Sequence, residues 1–322
     1  MESGTVETST TAINGSNGGN GSPPAAARIE VLNPANGQTV GSIEVDTPET
    51  IAATVARVRA NQAEWEAIGI EGRYHWLGKL RDWILDNGEQ IADTMQAETG
   101  KVRGDIFMDL GYVADLINFY GTKAEKFIGD ETVRPHSPLV ASKKLLIRYR
   151  PHPVVGVISP WNFPLAMGLG DSIPALQAGA AVVVKPSEFT PLSLVAVVKA
   201  WKEEIGAPDV FDCVHGTGEA GGALIDNVDY VQFTGSDRTG RKVMARAAET
   251  LTPVSLELGG KDPMIVLSDA DVDRAANAAA WGGMVNSGQL CISVERIYVE
   301  EPVYDEFVAK VTEKVKAIRQ GD

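Results

Sequence analysis

Two residues of this 322-residue chain have types and neighbours that suit covalent chemistry, Cys291 and Glu257. Cys291 follows Ser287-Gly288-Gln289-Leu290, where a glycine can leave backbone N–H groups free beside the sulfur. Such donors favour the thiolate and can stabilise an oxyanion. A free cysteine is more often a buried apolar residue, which is how we interpret Cys213, inside the apolar run 210–214. For Cys291 both interpretations stay open on these residues alone.

Glu257 stands between Leu256 and Leu258, at the end of an apolar run. A solvated surface glutamate is one interpretation, but the apolar flanks favour a desolvated carboxyl group. Such a group holds its proton more tightly and can act as a general base near neutral pH. A thiol and a separate carboxylate suit a two-step reaction, in which covalent capture of a substrate is followed by activation of water.

The segments that must position these residues alternate between short apolar runs and amphipathic stretches such as 192–205 and 238–249. This alternation is typical of an α/β fold, a doubly wound parallel sheet covered by helices on both faces. Ligands of such sheets bind beyond the carboxyl ends of the strands. The predicted strands are 154–159, 181–184, 210–214, 230–234, 254–258 and 264–267.

The chain before Pro153 has a different organisation. Residues 1–27 are rich in Gly, Ser, Thr, Ala and Pro, and we predict a disordered tail with no secretory or transit signal. The turn cluster 33–37 predicts a hairpin, and the periodicity from Thr47 to about Phe127 predicts helices. Leu145, Ile147 and Tyr149 alternate as in a strand, within a hairpin near 133–150.

Composition excludes several classes of protein. The chain has 43 acidic and 29 basic residues, a net charge of −14, which disfavours binding to nucleic acids or to anionic membranes. Two cysteines and four histidines argue against a disulfide framework and against a metal site. We therefore predict a cytoplasmic protein with no metal, no nucleic-acid partner and no membrane span.

Five motifs resemble those of the aldehyde dehydrogenase superfamily in order and approximate spacing. The similarity runs from about Asn33 to the last residue, and its wider context is most similar to bacterial succinate-semialdehyde dehydrogenases of the second type. It implies a Rossmann-like NAD(P)-binding domain over 28–256 and an incomplete α/β catalytic domain over 257–322. The motifs are Pro160-Trp161-Asn162-Phe163-Pro164, Lys185-Pro186-Ser187-Glu188, Phe233-Thr234-Gly235-Ser236, 256–261 and Gly288-Gln289-Leu290-Cys291.

The resemblance implies a role for each matching residue. Cys291 would attack the aldehyde carbon, with the amide of Asn162 and the Cys291 N–H stabilising the alkoxide, and Glu257 would activate water to release the acid from a thioester. Lys185 and Glu188 would hold the adenosine ribose, and Ser236 would meet the pyrophosphate. The residues implied to bind NAD or NADP are Trp161, Asn162, Lys185, Pro186, Ser187, Glu188, Gly235, Ser236 and Leu258.

Plainer interpretations remain for some of these residues. Lys185 and Glu188 could form an ordinary surface ion pair, and Asn162 could be a turn residue. Residues 216–221 match G-x-G-x-x-G, yet they follow the third predicted strand, so a tight turn is as good an interpretation as a phosphate cradle. Glu188 favours NAD, because a carboxylate repels a 2′-phosphate, but Lys185 leaves NADP open.

Two departures from the family pattern bear on function. Better-known succinate-semialdehyde enzymes carry arginines at the positions of Gly170 and Val285, so a less charged aliphatic aldehyde is an alternative substrate. The family also continues well beyond Asp322, which motivates a second alternative, a truncated chain that binds a nucleotide or a partner without turnover. Glu257 disfavours a third, acyl transfer to coenzyme A. For the full-length form the resemblance implies a homo-oligomer.

Overall fold

The computed structural model describes residues 27–321, so the predicted tail lies, apart from Ala27, outside the described residues. The first part of the chain is a hairpin followed by four helices, as predicted. Thr47 caps the first helix, since its hydroxyl accepts a hydrogen bond from the N–H of Thr50, and Pro48 occupies the first helical position. The elements are β1 (Arg28–Leu32), β2 (Thr39–Glu44), α1 (Pro48–Ala67), α2 (Gly69–Asp86), α3 (Gly88–Thr99) and α4 (Arg103–Ile128).

A second hairpin follows, formed by β3 (Glu131–Val133) and β4 (Leu145–Ile147), in the part of the chain where we proposed a hairpin near 133–150. The expected strand alternation to Tyr149 is wrong, because β4 ends at Ile147. The partner strand β3 is short, because it begins only after the end of α4 at Ile128. Ile147 pairs with Glu131, the first residue of β3, so residues after Ile147 have no partner in this strand.

The centre of the molecule is a five-stranded parallel sheet with the strand order β7-β6-β5-β8-β9. Every residue of β5 and β6 is buried, which explains why β5 and residues 181–184 of β6 are continuous apolar runs. The predicted α/β fold with a parallel sheet is thus confirmed. Its elements are β5 (Val154–Ile158), α5 (Pro164–Ala178), β6 (Ala181–Lys185), α6 (Leu192–Glu203), β7 (Phe211–Cys213), α7 (Gly218–Ile225), β8 (Tyr230–Thr234), α8 (Asp237–Ala248) and β9 (Val254–Glu257).

The order of the strands creates a switch point between β5 and β8. From β5 the chain proceeds outward through β6 and β7, and then returns to place β8 on the other side of β5. Right-handed crossovers put α5 and α6 on one face of the sheet and α7 and α8 on the other, where α1 also packs. The connections after β5 and β8 therefore diverge, and they leave a crevice at the carboxyl ends of these strands.

The last part of the chain has its own small core. β10 (Asp262–Val266) and β11 (Val294–Val299) pair in parallel, and α9 (Val272–Met284) and α10 (Glu301–Lys316) pack beside them. Its buried side chains form a cluster separate from the main core, which supports our proposal of a domain boundary near residue 257. Within residues 27–321 no helix is both long enough and apolar enough to cross a membrane.

Candidate active site

A cleft of about 1270 Å³ opens at the carboxyl ends of the sheet strands. The predicted site residues converge on it from the turns after β5, β6 and β8, from the end of β9 and from the loop after α9. Pro186 is the exception, and it contributes its backbone carbonyl, which accepts a 2.7 Å hydrogen bond from Nζ of Lys185. Those lining the cleft are Trp161, Asn162, Lys185, Ser187, Glu188, Gly235, Ser236, Glu257, Leu258 and Cys291.

The loop that carries Cys291 is held in an unusual backbone conformation. Asn286 and Ser287 have φ values of 50° and 58°, in the left-handed region that costs non-glycine residues on the order of 1 kcal/mol or more. Asn286 compensates with its hydrogen bonds: its N–H donates to Asp105 over 3.1 Å, and its side-chain amide donates to the carbonyl of Asn162 over 3.1 Å. These bonds tie the loop to α4 and to the turn after β5, while the side chain of Cys291 is exposed in the cleft.

Asn162 lies in that turn, just before Pro164 begins α5. Its side-chain amide donates a 2.8 Å hydrogen bond to the carbonyl of Gln289, two residues before Cys291. An amide nitrogen carries two protons, so this bond leaves one for an oxygen atom held at Cys291. The contact is specific to the loop of Cys291 and goes beyond what a turn residue needs.

A buried ion pair, Lys101–Asp109, contacts the backbone carbonyl of Asn162. Nζ of Lys101 lies 3.3 Å from both carboxylate oxygens of Asp109, 3.3 Å from the carbonyl oxygen of Asn162 and 3.4 Å from the ring centre of Phe163. The two charged side chains are only 1% and 3% exposed. Burial raises the pKa of Asp109 to about 6, with Lys101 opposing the shift, and burial also lowers the pKa of Lys101. Sequence reasoning missed this pair, since no local pattern distinguishes it from surface charges.

The expectation that Glu257 is desolvated is wrong, because its side chain is exposed. In a strand successive side chains point to opposite faces, so Leu256 and Leu258 pack on the core while Glu257 points the other way. The charge of Glu257 acts on the carboxyl group of Asp171, on α5. Burial, and then the charge of Glu257, raise the pKa of Asp171 to about 6, against a hydrogen bond from Gln232.

The opposite end of the cleft suits a dinucleotide. Nζ of Lys185 lies 3.8 Å from Glu188. This is not an ordinary surface ion pair, because the side chain of Lys185 is only 5% exposed. Ser236 caps α8, and Ser236 and Thr239 line the cleft at this helix N-terminus, an end that favours an anion. Ser159 and Thr234 also line this cleft, and their hydroxyl oxygens are buried without a hydrogen-bond partner in the structure.

The glycines of the loop 216–221 have two different roles. Gly216 has a φ of 142°, and a Cβ atom there would lie 2.8 Å from Ala220, so the tight turn requires glycine. Gly218 and Gly221 instead line the cleft, and a Cβ atom on Gly221 would lie 3.7 Å from the side chain of Lys185. They leave the helix end open to a ligand in the cleft.

The second cysteine behaves as the sequence predicts. Cys213, on β7, packs against the main core, and burial raises the pKa of its thiol far above the usual range. Its sulfur lies 3.7 Å from Nε2 of His215. A thiol held in its neutral form is a poor nucleophile, so Cys291 is the cysteine suited to chemistry. Among the described residues no group of His, Cys, Asp and Glu is arranged to hold a metal ion.

Comparison with known proteins places the whole described part of the chain in one family. A family model described as the aldehyde dehydrogenase family matches residues 22–322. A protein of Mycolicibacterium smegmatis named putative succinate-semialdehyde dehydrogenase, with NADP(+) in its name, is 41% identical over 88% of this chain and 54% of its own length. The 4,4'-diapolycopene aldehyde oxidase of a Methylomonas species is 36% identical over 91% of this chain and 56% of its own length.

Solved structures give the same result. The lactaldehyde dehydrogenase from Escherichia coli superimposes with a TM-score of 0.87 at 35% identity, over 92% of this chain and 62% of the other. The chain thus spans about half the length of the curated relatives described above. Because the family model covers nearly the whole chain, this protein belongs to the aldehyde dehydrogenase family.

Proposed function

We propose that this site oxidises an aldehyde to its carboxylic acid with NAD or NADP, through a thioester on Cys291. The observation that carries the proposal is the meeting of Cys291, Asn162 and Glu257 in one cleft, whose other end holds Lys185 and the N-terminus of α8. The balanced reaction consumes the aldehyde, NAD(P)+ and water, and it yields the carboxylate, NAD(P)H and two protons.

In the first half-reaction the thiolate of Cys291 attacks the carbonyl carbon and the oxygen gains the charge. The second amide proton of Asn162 and the N–H of Cys291 stabilise that oxyanion. The cofactor, when bound, supplies a hydride acceptor, and transfer of the hydride from the former carbonyl carbon leaves the acyl group on sulfur. Lys101 supports this step at a distance by fixing the carbonyl of Asn162.

In the second half-reaction Glu257 takes a proton from water, which attacks the thioester and releases the acid and the thiolate. The exposure of Glu257 lets it return its proton directly to solvent. Its charge lies near Asp171 and, after burial, helps to raise the pKa of that carboxyl group to about 6.

The finer assignments are as follows. The name of the Mycolicibacterium relative favours succinate semialdehyde and NADP, whereas Gly170 and Val285 favour a less charged aliphatic aldehyde. Glu188 favours NAD. The full-length form would be a cytoplasmic homo-oligomer that takes a small aldehyde and no nucleic acid.

Formation of NAD(P)H from an aldehyde tests the proposal, with Cys291→Ala as the variant and Cys213→Ala as its matched control. We expect Cys291→Ala to abolish turnover and Cys213→Ala to retain it. Calorimetric titration measures the binding of NAD and NADP. Binding without any turnover would instead support a non-catalytic nucleotide-binding chain. Formation of acyl-CoA on addition of coenzyme A would support acyl transfer.

A further inference from the structure

Asn286 lies in the turn before Cys291, and its side chain is buried. Its Nδ2 atom donates a hydrogen bond to the backbone carbonyl of Asn162 over 3.1 Å and another to that of Gln289 over 3.3 Å. Because both acceptors are carbonyl oxygens, the nitrogen of the amide group must face them. Both amide protons of Asn286 are therefore engaged, and this residue has none left for a substrate.

The same two carbonyl groups determine how Asn162 is held. One is the backbone carbonyl of Asn162 itself, and the other, at Gln289, accepts the 2.8 Å hydrogen bond from the Asn162 side chain. Asn286 thus holds Asn162 at both ends, directly at its backbone and through Gln289 at its side-chain amide. Rotation of the Asn162 amide would break its bond to a carbonyl group that Asn286 also binds.

The backbone of Asn286 is fixed in the conformation that these contacts need. Its φ of 50° lies in the left-handed region, which asparagine adopts more readily than most residues do. The N–H of Asn286 donates to Asp105 on α4 over 3.1 Å, and its carbonyl accepts a 3.1 Å hydrogen bond from the N–H of Gln289. Bonds to three segments therefore hold one residue in a sparsely populated conformation, an arrangement that points to a function.

We propose that Asn286 is a positioning residue for the oxyanion formed at Cys291, because it sets the direction of the free amide proton of Asn162. The inference rests on the proposed function and assigns a role to a residue that its mechanism does not use. Asn286 acts only through Asn162, since its own protons are engaged. Its loss should slow reactions in which an oxygen atom at Cys291 gains negative charge, and it should spare other reactions of the thiol.

The variant Asn286→Gly removes the side chain and keeps the backbone. Glycine adopts a positive φ without strain, and the N–H that binds Asp105 remains. Each carbonyl also keeps one donor, which is Nζ of Lys101 at Asn162 and the Asn162 amide at Gln289. We therefore expect the variant to fold, with an unfolding temperature close to that of the wild type.

Two further variants complete the set. Asn286→Asp is a second test of the amide, since aspartate tolerates the same backbone conformation but its carboxylate cannot donate to a carbonyl. Ser287→Gly is the matched control, because Ser287 lies in the same turn with a φ of 58° and has an exposed side chain. It changes the flexibility of the turn and leaves the Asn286 amide in place.

Two reagents separate stabilisation of an oxyanion from access to the sulfur. Attack of the Cys291 thiolate on 4-nitrophenyl acetate passes through an oxyanion, forms an acetyl thioester and releases 4-nitrophenolate, which absorbance measures. Attack on iodoacetamide displaces iodide and forms no oxyanion, and peptide mass spectrometry follows it. Both rates are corrected with Cys291→Ala.

The ratio of the acylation rate to the alkylation rate is the decisive quantity. We expect it to fall at least about tenfold in Asn286→Gly and in Asn286→Asp, because a misdirected donor stabilises the oxyanion less. In Ser287→Gly it should stay within about twofold of the wild type. An unchanged ratio in folded Asn286→Gly would overturn the inference. An equal fall in Ser287→Gly would do the same, since flexibility of the turn would then explain the loss.

A double variant tests whether Asn286 acts through Asn162. The ratio in Asn162→Ala/Asn286→Gly should lie within about twofold of that in Asn162→Ala alone, because the group that Asn286 positions is already gone. A further loss as large as that of Asn286→Gly in the wild-type background would show that the two residues act independently, against the inference.

Neither reagent needs a cofactor, so these results are distinct from those that test the proposed function. Acylation of Cys291 without NAD(P)H formation from succinate semialdehyde or from its methyl ester, methyl 4-oxobutanoate, would overturn the proposed function alone. Absence of Cys291-dependent acylation in the wild type would overturn the inference, because no oxyanion would then be stabilised at this site.

Discussion

The side-chain amide of Asn162 donates a 2.8 Å hydrogen bond to the backbone carbonyl of Gln289, and so joins the turn after β5 to the loop that carries Cys291. The two residues are 127 positions apart in the sequence. One side chain thereby ties down the loop of the proposed nucleophile and keeps a second amide proton, which we propose stabilises the oxyanion.

Removal of this amide should slow the first half-reaction. We expect Asn162→Ala to lower the rate of the NAD(P)H burst by about 10²-fold or more, as is usual when an oxyanion donor is lost. Stopped-flow absorbance measures the burst rate, and Asn36→Ala, in the exposed turn between β1 and β2, is the control. An unchanged burst rate in Asn162→Ala would show that the amide does not act on the substrate.

Glu257→Gln should separate the two half-reactions. Glutamine cannot take a proton from water, so the acyl group should form and then remain on Cys291. We expect a burst of about one NAD(P)H per active site, followed by steady turnover lowered by about 10²-fold or more. Glu203→Gln, on the exposed side of α6, should behave as the wild type. Loss of the burst along with turnover would argue that Glu257 acts before the thioester forms.

Loss of either partner of the buried ion pair Lys101–Asp109 should lower the free energy of unfolding strongly. Lys101→Met leaves the carboxyl group of Asp109 buried and unpaired, so the free energy of unfolding should fall by about 3 kcal/mol or more. Denaturation by urea measures this change. The double variant Lys101→Met/Asp109→Asn removes the unpaired charge and should recover a large part of the loss. If the double variant is as unstable as the sum of both single variants, the two residues are not coupled.

Asp171 should make stability depend on pH. Its pKa is raised in the folded protein from 3.8 to about 6, so between these values the folded state binds more protons than the unfolded state. Stability contributed by this group is therefore greatest below the lower value and falls as the pH rises through the window. Asp171→Asn removes the buried charge, so it should unfold at a higher temperature than the wild type at pH 7. At pH 3, below both values, the difference should vanish, and a constant difference between pH 3 and pH 7 would contradict the assignment.

Much of the fold could be predicted because its signals are local. β5 and the first four residues of β6 are unbroken apolar runs, and the helices from Pro48 onward show their periodicity directly. Where the prediction failed, geometry beyond the pattern decided. β4 stops at Ile147 because its partner strand is short, and Glu257 is exposed because its apolar neighbours occupy the opposite face of the strand.

The candidate site shows the same division. Asn162 and Ser236 were predicted from the resemblance of their motifs to the family. Both follow strand ends, and parallel strands bring their carboxyl ends together. The support for Asn162 could not, since Lys101 lies 61 positions earlier and reaches it only in the folded chain. Asn286 was also missed, because its bonds to Asp105 and Asn162 join segments that are distant in the sequence.

The most direct test of the account is to observe the covalent link to Cys291. Glu257→Gln protein is mixed with NAD(P) and methyl 4-oxobutanoate, quenched in acid within the burst and digested for peptide mass spectrometry. The account predicts an acyl adduct on the peptide that contains Cys291 and no adduct on the peptide that contains Cys213. The double variant Glu257→Gln/Cys291→Ala should carry no adduct at all. Undiminished aldehyde oxidation by Cys291→Ala, or an acyl group on another residue, would contradict it.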